Sequence, residues 1–344
     1  MSQKGEGKDR LKLSNQPGRP LIFVILVVTI LLLAIVGIEL FRHYGVRVKD
    51  ARPGPQASLQ DRLRTPFPRE VRDATGTVLV IPSRPVRIIS QTLGSDEILL
   101  SICQPERIAA FSPLVDDEKF SNVVERIKTL PFAKTTGAED ILRRQPDLIF
   151  IASYSRADIV EQLKASRAPV FRFANFDHVE DIKANIRTLG FAIGEDEMAE
   201  QLVARMEGEL ASLQDRIPKN NQSPRAMSYD LSGTTSGKNT LFDDMLRLAG
   251  ATNVATEKGI EGFRKISGEQ LIAWQPEVIV AGADHGNEAE TRRQLLEDKA
   301  VAATPAGRNG RVIVIDNRAF LSVTHYITRG VETLVENLYE GPSK

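Results

Sequence analysis

The chain is predicted to be an α/β protein of two similar lobes joined by a long bridging helix and preceded by one N-terminal transmembrane helix. Three observations predict this. The stretch Glu139-Asp-Ile-Leu-Arg-Arg-Gln-Pro-Asp-Leu-Ile-Phe-Ile151 returns 130 residues later as Glu269-Gln-Leu-Ile-Ala-Trp-Gln-Pro-Glu-Val-Ile-Val-Ala281. Around each copy, runs that read as strands alternate with helical patterns, as in Rossmann-like lobes built on parallel sheets. Between the copies, residues 178–217 carry apolar side chains at three-and-four spacing, the period of an amphipathic helix, with Gly194 a candidate break or kink within it. Copies so far apart are not solenoid repeats, whose period is about 20–50 residues. They suit a duplicated lobe.

Each copy reads as a short helix opened by an acidic residue, a Gln-Pro break and an unbroken apolar run. Proline pushes the residue before it out of the α region, so the helix stops there. A run without polar alternation is expected of a strand covered on both faces.

Composition removes several classes of function. Lys plus Arg and Asp plus Glu number 45 each among 344 residues, so no net field recruits nucleic acid. Cys103 is the only cysteine, which excludes a disulfide within the chain and leaves no Cys-based metal site. It ends an apolar helix pattern and reads as a buried filler. It lies far from the leader, so it is no lipid-bearing N-terminal cysteine.

Residues 1–20 are polar and carry five basic side chains; they read as a cytoplasmic tail. Leu21 to Ile38 is apolar apart from Thr29 and Gly37, about the length that crosses a bilayer. That exceeds the usual signal-peptide core of roughly 7–15 residues, and no small-x-small cleavage site follows. Residues 21–40 are therefore read as an uncleaved signal anchor, with a cleaved signal as the alternative. Basic residues lie on both sides, so placing the globular part on the periplasmic or extracytoplasmic side rests on what the domain resembles, given below. Residues 41–70 hold four prolines among polar residues and form a semi-stiff linker.

The N-terminal lobe is assigned to 71–177, the bridging helix to 178–217 and the C-terminal lobe to 218–344. Val71 to Ile81 reads as a hairpin turning at Ala-Thr-Gly. Strands follow at Arg87–Ser90, Ile108–Ser112, in the first copy, and at Ala168–Phe173; Ser95 is a candidate N-cap. The second lobe opens with a strand at Arg225–Leu231 and a helix at Leu241–Ala249. After the second copy come a helix near Glu290–Asp298, a strand at Arg311–Ile315 and a terminal amphipathic helix at Ile327–Tyr339.

At this point the residues resemble a family. Asp73-Ala-Thr-Gly76, Arg87-Ile-Ile-Ser90, Glu139–Ile151, Asp181–Arg187, Gly237–Asn253, Ile266–Leu271 and Gly310–Asn317 occur in the order found in periplasmic substrate-binding proteins of ABC importers. The resemblance is to the helical-bridge type that carries ferric siderophores, haem and cobalamin, and it covers about residues 71–340. It implies a binding protein rather than an enzyme, with no cofactor. The implied partners are an ABC permease with its ATPase and a metal chelate, and the implied state is a monomer. In that family each lobe offers an acidic residue to the permease; Glu139 and Glu269 stand at those positions. A first-turn carboxylate suits both the helix dipole and a bidentate guanidinium.

The ligand is expected in the cleft between lobes, on loops at the strand carboxyl ends. Gln91, Thr92, Tyr154, Arg156, Lys238, Phe263, Arg264, His285 and Arg318 are the candidate contacts. The cations suit an anionic, oxygen-rich chelate and the aromatics an apolar face. Haem would ask for an axial ligand, for which His285, Tyr154 and His325 are candidates. The clustered His and carboxylates that bind a bare transition-metal ion are absent from the pattern, so no metal site is assigned. Ser232–Thr240 has a Gly-Lys pair after a strand, but three residues separate Gly233 from Gly237 where a phosphate loop has four. Two other readings are a chelate-sensing receptor without transport and a chelatase-like enzyme using His285.

Overall fold

The structure is a computed structural model that describes residues 66–340, except 136, 154, 156, 165–166, 174–175 and 220–222. The tail, the anchor at 21–40 and nearly all of the linker lie outside the described residues, as do Tyr154 and Arg156. Among the described residues no helix is long and apolar enough to cross a membrane.

The described chain starts in a hairpin, β1 (Arg69–Arg72) and β2 (Val78–Ile81), with Arg72 opposite Val78. The turn falls at Ala-Thr-Gly as predicted. Asp73 Oδ1 accepts the amides of Thr75 and Thr77 at 2.8 and 3.0 Å, and Gly76 adopts φ 83°.

Two parallel sheets follow. In the first, β3 (Ile88–Ser90), β4 (Ile108–Ala110), β5 (Leu148–Ala152) and β6 (Val170–Phe173) lie in the order β4-β3-β5-β6. In the second, β7 (Arg225–Ser228), β9 (Thr252–Asn253), β11 (Val278–Ala283) and β12 (Val312–Asp316) lie in the order β12-β11-β7-β9. In both, the strand that comes first in the chain is flanked by the second and the third, with the fourth outermost beside the third. The sequence repeat is therefore a repeat of topology. A separate ribbon, β8 (Thr234–Ser236) with β10 (Phe263–Lys265), belongs to the second lobe.

Both sheets are covered on both faces, and strand parity shows it. Leu148 and Phe150 enter a core that runs through both lobes, while Ile149 and Ile151 enter an outer core of the first lobe. Val278 and Val280 join that same common core, and Ile279 and Ala281 pack outward. This is the pattern an unbroken apolar run dictates.

Among the described residues, nine helices of six or more residues cover the sheets: α1 (Leu93–Ile102), α2 (Ala138–Arg143), α3 (Ala157–Lys164), α4 (Val179–Ile193), α5 (Asp196–Asp215), α6 (Leu241–Leu248), α7 (Gly268–Trp274), α8 (Glu288–Glu297) and α9 (Ile327–Val335). The duplicated stretch forms α2–β5 and α7–β11. Its break is sharper than the proline rule alone gives: Gln145 and Gln275 turn into the left-handed region, at φ 49° and 51°. The acidic residue after each proline then fastens the neighbouring strand. Asp147 accepts the amides of Val86 (2.7 Å) and Arg87 (3.0 Å), and Glu277 accepts that of Arg225 (3.0 Å).

The single bridging helix expected over 178–217 is not what forms. Gly194 adopts φ 75° and the segment folds into a hairpin of α4 and α5. The two helices run antiparallel, with Arg187 2.9 Å from Glu200 and Lys183 3.1 Å from Glu207. Close approach is possible because Gly190 lacks a side chain: a Cβ there would stand 2.3 Å from that of Ala199. Helical periodicity carries no information about such a fold-back, and the glycine supplies it. The start of α4 is tied to the second lobe, with the Val179 amide donating to Asp244 at 2.8 Å. The turn end packs on the first lobe, where Arg107 donates to the Ile193 carbonyl at 2.6 Å and Arg69 pairs with buried Asp196 at 2.7 Å.

One cap also differs from expectation. Thr92, not Ser95, caps α1, its hydroxyl accepting the Ser95 amide at 3.1 Å. Cys103 is buried at the end of α1, as expected.

Candidate functional site

A crevice at the carboxyl ends of the strands follows from the topology, because parallel strands all end on one edge. There the two lobes meet. Lys119, in the loop after β4, lies 2.8 Å from Asp284, in the loop after β11. Asn317 donates to the same carboxylate group at 3.2 Å. Lys119 holds the Asp284 carboxyl below the usual range. In the sequence Asp284 stands beside the candidate His285 on a strand-end loop, whereas Lys119 is one charge among many.

Behind this edge the lobes are joined by a buried polar network centred on α1. Asp96 is fully buried and accepts from Ser112 Oγ at 2.5 Å; burial pushes its carboxyl up to about 7 in spite of that bond. Beside it, Glu97 accepts from Asn122 in the first lobe at 2.9 Å and from the Thr324 hydroxyl in the second at 2.6 Å. Burial raises its pKa too, against those bonds. Asn122 donates on to the Arg318 carbonyl at 2.7 Å. Two adjacent acids in an otherwise apolar helix, Asp96-Glu97-Ile98-Leu99-Leu100, were the available sign of this joint.

The predicted contacts fall into three groups. Lys238, Phe263 and Arg264 come together on the β8–β10 ribbon, where Phe263 pairs with Ser236 and the backbone of Lys238 bonds Ile260 and Gly262. All three are exposed, and Phe263 keeps 71 % of its surface in solvent. His285 and Arg318 meet on the carboxyl edge of β11 and β12, but around Asp316. The Asp316 carboxylate takes His285 Nδ1 at 2.7 Å and Arg318 Nε and a terminal nitrogen at 2.9 and 2.5 Å. Burial opposes ionisation of Asp316, yet these partners hold its pKa below normal.

The third group is in the first lobe. Gln91 is half-buried and donates to Ser90 O at 2.9 Å and to the Thr135 hydroxyl. Thr92 is buried and spent on the α1 cap, so as a ligand contact it is corrected. His325 follows Leu321 on the connection after β12, but its side chain is turned to α1. It packs at the end of α1, with Nε2 3.3 Å from Ser101 Oγ, which corrects its reading as an axial ligand.

Metal-ligating chemistry is confined, among the described residues, to His285, Glu288 and Asp316, whose donor atoms lie within 4.8 Å of one another. Arg318 already occupies that carboxylate and stands 2.5 Å from His285 Nδ1. A guanidinium at the centre of the donor set disfavours a cation there.

Apolar side chains complete the cleft loops, and sequence reasoning missed most of them. Leu114 follows β4, Leu231 follows β7 and Leu321 follows the turn after β12; all are exposed, at 43 %, 54 % and 54 %. Each is a single leucine among polar neighbours, a pattern without periodicity to mark it. Exposed leucine is common on any surface; these three follow the carboxyl ends of strands.

Glu139 and Glu269 occupy the same place in each lobe. A helix that feeds a strand of a parallel sheet runs opposite to it, so the first turns of α2 and α7 sit at the carboxyl edge. Both side chains are exposed. Glu139 pairs with Arg143 at 2.9 Å, an exposed contact of little strength. The Ser267 hydroxyl and its own backbone amide hold the Glu269 carboxyl below its usual value.

The comparisons with known proteins agree with this architecture. The family model described as periplasmic binding protein matches residues 88–319. An uncharacterized ABC transporter substrate-binding lipoprotein of Bacillus subtilis, YvrC, is 24 % identical over 297 residues, covering 83 % of this chain and 91 % of its own. Among solved structures, the periplasmic haem-binding protein RhuT of Roseiflexus sp. RS-1 in apo form has 26 % identity and a TM-score of 0.63, covering 74 % of this chain and 98 % of its own. Two more distant likenesses show the fold alone. One is MolA of Haemophilus influenzae bound to molybdate, at 18 % identity and TM-score 0.65, covering 79 % of this chain and 91 % of its own. The other is an Fe3+-hydroxamate transport protein of Saccharomonospora viridis, at 18 % and 0.63, covering 79 % and 99 %. The chain belongs to the periplasmic binding protein family, as a substrate-binding protein of an ABC importer and not an enzyme.

Proposed function

We propose that this protein is held at the outer side of the cell membrane by its segment 21–40, captures a metal chelate between its lobes and delivers it to an ABC permease. A ferric siderophore is the favoured chelate, with haem and cobalamin as the other candidates. The observation that carries this reading is the make-up of the carboxyl edge. It offers exposed cations, Lys238 and Arg264, beside exposed apolar surface, Phe263, Leu231 and Leu321. A bare oxyanion needs only the first, whereas an organic chelate of a metal presents both charge and carbon surface. Similarity to a protein whose name states haem supports the same class.

Gln91, Lys238, Phe263, Arg264, His285 and Arg318 are proposed as ligand contacts, together with Tyr154 and Arg156. For Arg318 and His285 the contact requires sharing with Asp316. Glu139 and Glu269 are proposed as the permease contacts, one from each lobe. The protein acts as a monomer, with the anchor keeping it at high local concentration near the permease. Capture makes and breaks no covalent bond. Isothermal titration calorimetry of the full-length chain in detergent, against ferric hydroxamates, ferric catecholates, haem and cobalamin, tests this. One saturable ligand of micromolar or better affinity, weakened at least tenfold by Phe263→Ala with Arg264→Ala, is expected. Absence of heat with every member of the panel overturns the chelate reading.

A further inference from the structure

A groove of about 780 Å³ lies away from the cleft, between α5, the start of α9 and the helical turn Val124–Ile127. Arg126, His325 and Tyr326 lie on the connections after β4 and β12, but none of the cleft-edge residues Leu114, Lys119, Leu231, Asp284, Arg318 and Leu321 lines it. Four arginines line it from three elements. Arg126 comes from the first lobe, Arg205 and Arg216 from α5 and its end, and Arg329 from α9. Three acids answer them. Glu336 and Glu332 lie 3.5 and 3.8 Å from Arg216, and Glu209 is engaged by the Thr328 hydroxyl at 2.7 Å. Arg329 lies over the Tyr326 ring at 4.5 Å and donates to Asn122 at 3.1 Å. Among the described residues Arg126 and Arg205 have no acidic partner.

Four guanidinia against three carboxylates leave a positive excess around one concavity, carried by Arg126 and Arg205. Their field is felt nearby: burial, then the charges of Arg205 and Arg329, push the His325 imidazole down to about 3. Exposed arginines are ordinarily spread apart or paired, because mutual repulsion is relieved only by counter-charge. Here the excess is gathered into a groove large enough for a small organic anion. Guanidinium forks match the paired oxygens of phosphate and carboxylate.

We propose that this groove is a second binding site, separate from the cleft, for an oxyanion carrying two or more negative charges, of the phosphate type. Because Arg126 belongs to the first lobe and Arg205, Arg216 and Arg329 do not, a bound anion ties the lobes together on the side away from the cleft loops. The source is either a soluble phosphate compound or the phosphate headgroup of a lipid in the membrane beside which the protein is held.

The test uses the full-length chain in detergent with inorganic pyrophosphate as probe, and in parallel its co-sedimentation with phosphatidylglycerol against phosphatidylcholine vesicles. Both are repeated with Arg126→Gln/Arg205→Gln, two exposed positions, with circular dichroism to check that the variant keeps the fold. Saturable pyrophosphate binding, weakened at least tenfold in the variant, establishes a soluble ligand. Sedimentation with the anionic vesicles alone, lost in the variant, establishes a headgroup. Binding at the groove also raises the His325 pKa by neutralising its neighbours, read by imidazole NMR. No binding of either probe, or binding that the double variant retains unchanged, overturns the proposal.

Discussion

Lys119 and Asp284 reach across from the two lobes to within 2.8 Å at the mouth of the cleft. Lys119 is exposed and Asp284 half-buried, so the pair contributes little to folding. Its place gives it another use, because any widening of the cleft at this point must break it. Lys119→Ala and Asp284→Asn are each expected to leave Tm within about 1 °C of the parent, following the near-zero worth of such pairs. Each should speed dissociation of the captured chelate severalfold, read by stopped-flow displacement. Unaltered dissociation with unaltered Tm would reduce the pair to a surface contact.

The acids after the two Gln-Pro breaks are expected to differ in weight although they share a position. Asp147 accepts two neighbouring backbone amides, whereas Glu277 accepts one and is more exposed. Removing acceptors leaves strand-end donors unpaired. Asp147→Ala should therefore cost about 1–3 kcal/mol and Glu277→Ala less than about 1 kcal/mol. Urea unfolding of the two variants checks the ranking.

Gly190 is the contact point of the α4–α5 hairpin. A methyl group there meets Ala199 at 2.3 Å, far inside van der Waals contact. Gly190→Ala should destabilise by about 1–3 kcal/mol, the usual cost of overpacking, and the pairing with Ala199→Gly should recover most of it. Failure of the second substitution to rescue would place the strain elsewhere.

The two perturbed groups behind the cleft act on stability in opposite directions. Asp96 titrates at about 7 in the fold against an ordinary 3.8, so the stability it contributes is present below the ordinary value and is lost as pH rises through 7. His325 titrates at about 3 against 6.5, so its contribution is present above 6.5 and is lost as pH falls toward 3. Between about pH 4 and 6.5 the two slopes oppose, each at most about 1.4 kcal/mol per pH unit. Glu97 adds to the Asp96 side. Over that window Asp96→Asn should tilt the stability profile upward with pH and His325→Gln should tilt it downward. Parallel profiles in parent and variants would contradict these assignments.

Much of this was legible because it repeats. The run at 148–151 and its partner at 278–281 announced strands buried on both sides, and alternate residues do enter different cores. The Ala-Thr-Gly turn and the two Gln-Pro stops were local signals with local causes. What stayed hidden was non-local. Periodicity over 178–217 is the same for one long helix as for two antiparallel ones, and only the backbone at Gly194 decides between them. Thr92 and Ser95 are equally good caps by residue type; the loop geometry selected Thr92. In the site, the ribbon cluster of Lys238, Phe263 and Arg264 was anticipated as separate candidates. The capture of Arg318 and His285 by Asp316 was not, since a single carboxylate at a strand end gives no hint of what will turn toward it.

The central claim is delivery: a duplicated lobe that shows one carboxylate apiece, Glu139 and Glu269, to a membrane partner. The most direct measurement is chelate uptake by cells carrying Glu139→Arg/Glu269→Arg in place of the parent, alongside calorimetry of the same variant. The account predicts that uptake falls at least tenfold while chelate affinity stays within twofold of the parent. Uptake at the parent rate with affinity retained would contradict it.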